Sequence, residues 1–181
     1  LGVKFKADLN GFVTGIRFYK GAANTGTHVG SLWNTTGQLL ASATFSSETA
    51  VGWQQVNFAT PVAVTANTVY VASYHTTSGN YAANNVFFAT TGTDAAPLHA
   101  LQDGISGGNG VYAYSTSSTF PDSTYQSTNY WVDVVFNTSG GAAPLSILST
   151  VPGAGATGIA SGATVNATFN NPVDASTINS S

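Results

Sequence analysis

The run Asn129-Tyr130-Trp131-Val132-Asp133-Val134-Val135-Phe136 constrains this chain more than any other stretch. Read with a period of two, Tyr130, Val132, Val134 and Phe136 share one face, and Trp131, Asp133 and Val135 share the other. The first face is wholly apolar, so a second layer has to cover it. The second carries an indole and a carboxylate, which suits water or a charge partner on a neighbouring strand. A strand of this kind needs a sheet on each side of a core. Ser139-Gly140-Gly141 follows directly, so the strand is expected to close the main domain.

The same pattern recurs upstream, and helical periodicity is missing almost everywhere. Val3, Phe5 and Ala7 alternate with Lys4 and Lys6; Ile16 and Phe18 with Arg17 and Tyr19; Gln54, Val56 and Phe58 with Trp53, Gln55 and Asn57. Further strands are expected at Val29–Trp33, Leu39–Phe45, Pro61–Val64, Thr68–Tyr74 and Val111–Tyr114, with a short one at the end of Asn80–Phe88. Asp8-Leu9-Asn10-Gly11 reads as a hairpin turn with positive φ at Asn-Gly. Thr90–Asn109 and Ser115–Thr128 read as long polar loops. The expected fold is all-β, an antiparallel β-sandwich of jelly-roll type over residues 1–137. A Gly-rich linker at 138–143 then leads to 144–181. That segment has strands at 144–152 and Ala163–Phe169 and a short helical turn at Pro172–Ile178, and is too small for its own core. It reads as an incomplete Ig-like β module.

Charge narrows the functional classes. Only 6% of the 181 residues are charged, against roughly 25% in an ordinary soluble domain. The four cations, Lys4, Lys6, Arg17 and Lys20, all fall in the first twenty residues, and the net charge is -3. They read as the surface of an N-terminal hairpin, and nucleic acid, which needs a basic stripe, is not an expected partner. No run is long enough to span a membrane. Cysteine is absent, so neither a disulfide framework nor a thiolate site is available, and a secreted, extracellular bacterial protein is the expected setting.

Several segments, taken in order, resemble the bacterial family known as domain of unknown function 4082. They are Gly2-Val3-Lys4-Phe5, Gly11 to Lys20, Gly26 to Trp33, Gly52-Trp53-Gln54-Gln55-Val56, Tyr70-Val71-Ala72-Ser73-Tyr74, Asn109-Gly110-Val111-Tyr112 and Tyr130 to Phe136. The tail, from Ser149-Thr150-Val151-Pro152-Gly153 through Asn170-Asn171-Pro172-Val173-Asp174, is similar to the start of a bacterial Ig-like domain. These resemblances imply secreted modular proteins in which β-sandwiches alternate with Ig-like spacers, often beside polysaccharide-active enzymes. They carry no functional residues over.

Catalysis finds little support. The acids Asp8, Glu48, Asp94, Asp103, Asp122, Asp133 and Asp174 share no motif that would place two carboxylates across a glycosidic bond. His28, His75 and His99 lack metal-ligand spacing, and no Gly-x-Ser-x-Gly elbow occurs. No catalytic residue and no cofactor are expected. Asp8-x-Asn10-Gly11 opens like a calcium loop without its later ligands. A structural calcium ion at Asp8, or near Asp94 and Asp103, stays open, with an ordinary hairpin preferred.

Glycan binding fits the residues better. Sugar rings stack apolar faces on Trp and Tyr, while their hydroxyls need amide, imidazole or carboxylate partners. Tyr74, His75, Tyr81, Asn84 and Asn85 flank one passage from strand to loop; His99, Asp103, Asn109 and Tyr112 surround another; Trp131 lies on the outward face of the closing strand. Taken singly, Trp33 and Trp53 are expected in the core. The expected function is therefore a non-catalytic carbohydrate-binding module whose partner is a polysaccharide or cell-surface glycan. The alternative is a structural or adhesive building block of an extracellular fibre or stalk, self-associating through its C-terminal segment by strand addition. Arg17 and Asp133 are expected to form a cross-strand ion pair.

Overall fold

A computed structural model describes residues 1–139, 147–153 and 155–169. The chain divides into two compact units, Leu1–Gly141 and Ala142–Ser181. The first is an antiparallel β-sandwich. Its strands are β1 (Gly2–Ala7), β2 (Gly11–Lys20), β3 (His28–Asn34), β4 (Leu39–Thr44), β5 (Gly52–Val64), β6 (Tyr70–Thr76), β7 (Thr93–Ala95), β8 (Leu98–Ala100), β9 (Val111–Tyr112), β10 (Ser123–Thr124) and β11 (Val132–Asn137). The large sheet runs β10-β9-β1-β6-β3-β4, with the β7–β8 hairpin also joined to β1; the small sheet is β11-β2-β5. The chain moves from the large sheet to the small one and back repeatedly, which is jelly-roll connectivity. No helix among the described residues is long and apolar enough to cross a membrane.

Alternation decides what each strand buries, with an irregularity between Val13 and Gly15 shifting its phase within β2. Val3 and Phe5 of β1, Val13, Ile16 and Phe18 of β2, Tyr70, Ala72 and Tyr74 of β6, and Val132 and Val134 of β11 meet between the sheets. Phe18, with no exposed surface, sits at the centre. Its ring stacks on Tyr74 at 4.2 Å and meets the Phe45 edge at 4.9 Å. On the outer side of the large sheet, Trp33, Val71 and Val111 form a smaller cluster with Phe120 packed against it. The Trp33 indole is buried as expected, and its Nε1 donates to Ser73 Oγ at 2.8 Å.

Several expectations change. Asn10-Gly11 makes no hairpin, because β1 and β2 belong to different sheets. Asn10 Oδ1 instead accepts from the Ala66 amide at 2.8 Å. Gly11 is needed for room, since a Cβ there would lie 2.3 Å from Phe136 Cζ. The four cations are accordingly divided between the sheets rather than gathered on one hairpin. Thr90–Asn109 contains the β7–β8 hairpin, Ser115–Thr128 contains β10, and Pro61–Val64 belongs to one long strand with Trp53–Phe58. Asn80–Phe88 holds no strand: Val86 has φ 56°, which breaks any extended run.

Arg17 and Asp133 pair as expected, in direct register on β2 and β11, with Nη1 3.3 Å from Oδ2. The neighbour of the last strand is thus the second strand, and β1 lies in the opposite sheet. In the second unit, β12 (Ile147–Val151) pairs antiparallel with β13 (Asn166–Phe169). The expected turn at Pro172–Ile178 and most of the Gly-rich linker lie outside the described residues.

Candidate functional site

The two-residue period that sends Tyr74 into the core also brings it to the end of β6, where the sheets stop covering one another. There β6 and the turn after it meet the segment following β9 and the chain entering β11. A cleft of about 470 Å³ opens between them. Tyr74, Tyr81, Tyr112, Tyr114, Tyr125 and Tyr130 line it, six of the eight tyrosines in the chain, with His75, Thr76, Thr77 and Ser115 among them.

The rings form walls set at steep angles. Tyr130 meets Tyr81 at 5.6 Å and 78°, and Tyr112 at 6.5 Å and 69°; Tyr112 meets Tyr114 at 5.5 Å and 69°. Tyr130 is buried, while Tyr114 is 87% exposed at the rim. Burial pushes the Tyr130 phenol up to about 12, with Tyr81 adding to the effect, and burial raises Tyr74 well beyond the usual phenol range. Both phenols therefore stay neutral at physiological pH and serve as hydrogen-bonding groups. His75 Nε2 lies 3.1 Å from the Ser115 carbonyl, which ties the two sides together.

A buried polar network supports the wall behind Tyr74. Lys20 Nζ donates to Glu48 Oε2 at 2.7 Å, and Glu48 Oε1 lies 2.8 Å from His28 Nδ1. His28 Nε2 lies 3.0 Å from Asn24 Oδ1, which also accepts from Thr76 Oγ1 at 2.6 Å and Ser78 Oγ at 3.2 Å. Among the described residues, no buried side-chain polar atom lacks a partner. Sequence reasoning missed this network; the lone glutamate offered no sign that it faces inward.

The expected site residues divide into groups. Tyr74, His75, Tyr81 and Tyr112 come together in the cleft. Asn84 and Asn85 instead brace its neighbouring loops: Asn84 Oδ1 accepts from Trp131 Nε1 at 2.7 Å, and Asn85 Oδ1 accepts from Thr128 Oγ1 at 3.0 Å. Asn109 is buried. Its side chain bonds the Lys4 amide and carbonyl, the Leu101 carbonyl and the Gly110 amide, and its own amide donates to Asp103 Oδ1 at 2.7 Å. Asn109 and Asp103 thus hold a turn in place and are spent on the fold. Tyr114, Tyr125, Thr76, Thr77 and Ser115 line the cleft and were not anticipated. The number of tyrosines was the available signal.

His99 lies elsewhere, on β8, with Nε2 2.6 Å from Asp8 Oδ2 and Nδ1 2.6 Å from Asp94 Oδ1. The hydrogen bonds to Asp8 and then Asp94 raise its pKa above 6.5. The carboxylates considered for calcium are thereby engaged, Asp8 and Asp94 by His99 and Asp103 by Asn109. Among the described residues, no cluster of three or more His, Asp or Glu is placed to hold a metal ion.

Trp131 belongs to a second aromatic group on the outer face of the small sheet. Tyr19 and Trp53 are register partners, and the Tyr19 amide donates to the Trp131 carbonyl at 2.9 Å. The row Trp131–Tyr19–Trp53 crosses two inter-strand gaps, about 10 Å. Trp53 is 42% exposed, correcting the expectation of a core residue. Its place beside Gln55 and Asn57 in the alternation outweighs the general tendency of indoles to be buried. The rings meet edge to face, Tyr19–Trp53 at 86° and Trp53–Trp131 at 78°, and the Arg17 guanidinium lies 4.9 Å over Trp53.

The loops between cleft and row are strained. Val86, Gln126, Ser127 and Trp131 all have φ between 49° and 56°, on the order of 1–3 kcal/mol each for side chains in the left-handed region. They are held by the Asn84–Asn129 bridge and by bonds from the Val86 and Phe88 amides to the Gln126 and Ser127 carbonyls.

Fold and cleft together define an antiparallel β-sandwich module with a tyrosine-lined groove at one end. The chain belongs to the family described as Domain of unknown function (DUF4082), whose model matches residues 1–132. Residues 141–181 match the bacterial Ig-like domain. No curated protein matches the chain.

Proposed function

We infer that residues 1–137 form a non-catalytic carbohydrate-binding module of a secreted, modular bacterial protein. The tyrosine cleft carries this reading: it is concave, apolar on its ring faces, and fringed by hydroxyls, which is what a saccharide's C–H faces and hydroxyl groups require. Among the described residues no carboxylate lines it, which favours binding over acid–base hydrolysis. The match to a bacterial Ig-like domain supports a modular extracellular setting.

Affinity electrophoresis through gels containing soluble polysaccharides tests this. Tyr114→Ala and Tyr81→Ala should abolish retardation without lowering the melting temperature, whereas Trp53→Ala should leave retardation intact. Retardation unaffected by either tyrosine substitution would move the site away from the cleft.

A second reading, a structural or adhesive building block, is favoured by the C-terminal unit, where Ile147, Val151, Ile159 and Val165 are exposed. A two-stranded sheet with bare apolar side chains is suited to accepting further strands. Ordered self-association that is lost on deleting residues 144–181 would support it.

A further inference from the structure

We propose that the cleft selects uncharged saccharides and holds them without calcium and with little dependence on salt; this rests on the glycan-binding reading above. The chain carries four Lys and Arg side chains. Lys4 Nζ donates to the Ser106 carbonyl at 2.6 Å, Arg17 pairs with Asp133, and Lys20 pairs with Glu48. Lys6 lies opposite His99 on β1 and β8. None of the four lines the cleft.

A uronate, sulfate or phosphate group entering the cleft would lose water without gaining a counter-charge, and anions are accepted in such places only when paired. The walls already disfavour negative charge: burial and the neighbouring phenol hold Tyr130 in its neutral form. Calcium could bridge an anionic sugar to the protein, but that needs carboxylate or carbonyl oxygens directed at one point. Among the described residues no Asp or Glu lines the cleft, and the Ser115 carbonyl is engaged by His75. What remains is tyrosine rings, threonine and serine hydroxyls, the aliphatic surface of Leu1 and the His75 imidazole held against the Ser115 carbonyl, a surface complementary to hydroxyl groups and C–H faces.

Two panels of soluble polymers, neutral glucans, mannans and galactans against polygalacturonate, alginate and dextran sulfate, distinguish the outcomes. Both panels are measured in one mildly alkaline buffer. The expected result is retardation by at least one neutral polymer, with affinity changing less than about twofold between low and high salt, since no charge pair is there to be screened. Chelator should have no effect. Ser115→Lys, which adds a cation at the exposed rim, should confer binding to uronates that the parent lacks. Binding only to acidic polymers, or binding lost with chelator, would overturn this selectivity and leave the glycan-binding reading standing. Binding to neither panel would overturn both.

Discussion

The cleft and the outer row are built from the same kinds of side chain and have little else in common. In the cleft, tyrosines from distant parts of the chain stand around a space, Tyr74 and Tyr130 buried at its back and Tyr81, Tyr114 and Tyr125 exposed around it. In the row, Tyr19 and Trp53 sit on adjacent strands, Trp131 lies just before β11, and the rings fill one another's gaps, with Arg17 over the indole of Trp53. The contrast teaches that exposure alone does not make an aromatic residue available. Rings that close on one another across a sheet surface stabilise it, worth about 0.5–1.5 kcal/mol per pair, whereas the cleft tyrosines, which also meet edge to face, surround a void and leave contacts for something else to make.

Phe18 joins the two regions, and its removal should have the largest effect. It lies on β2 between Arg17 and Tyr19 of the row, and it stacks on Tyr74 of the cleft wall. Phe18→Ala should cost about 3–5 kcal/mol, read by denaturant unfolding, and should disturb both surfaces together. Asn24→Ala acts on the cleft alone. It strips the acceptor from Thr76, Ser78 and His28 and should cost about 1–3 kcal/mol, with weaker polysaccharide retardation. Trp53→Ala acts on the row alone and should cost about 1 kcal/mol through lost ring and cation contacts, leaving retardation unchanged. Should it abolish retardation, the row takes part in binding and the two surfaces are not separate.

Two smaller effects sharpen the picture. A double-mutant cycle on Arg17 and Asp133 should give under about 1 kcal/mol, diminishing with salt, because both side chains are more than a third exposed. For His99 the sign follows from a pKa raised in the folded state. The stabilisation is fully present below 6.5 and is lost as pH rises through the higher folded value. The melting temperature of the parent should therefore fall more between mildly acidic and alkaline buffer than that of His99→Gln.

What could be read from the sequence was whatever the two-residue period fixes. The buried face of Tyr130, Val132 and Val134, the inward Phe18 and the Arg17–Asp133 pair all follow from alternation plus antiparallel register. The period also set Trp53 outward with Gln55 and Asn57, and only a general prior about tryptophan argued otherwise. What could not be read depends on pairing between distant segments. Nothing local to Tyr114 or Tyr125 reveals that β9 lies beside β1 and so brings them to Tyr74. Asn109 illustrates the same difficulty: an asparagine in a polar stretch looks identical whether it meets a ligand or anchors a turn, and here it anchors one. The β7–β8 hairpin was hidden because strands of three residues each are too short to show a period.

The left-handed residue at position 131 has one more consequence. Tyr130 and Trp131 are neighbours in the chain, yet one ring belongs to the cleft and the other to the row, and the twist in the backbone between them is the divider. Such a junction is governed by chain length more than by side-chain chemistry. A relative that gained or lost a single residue between Asn129 and Val132 would have to hand its indole to the groove or its phenol to the open sheet. A one-residue change in length here would act on which side each ring faces, where a substitution would act only on the ring itself.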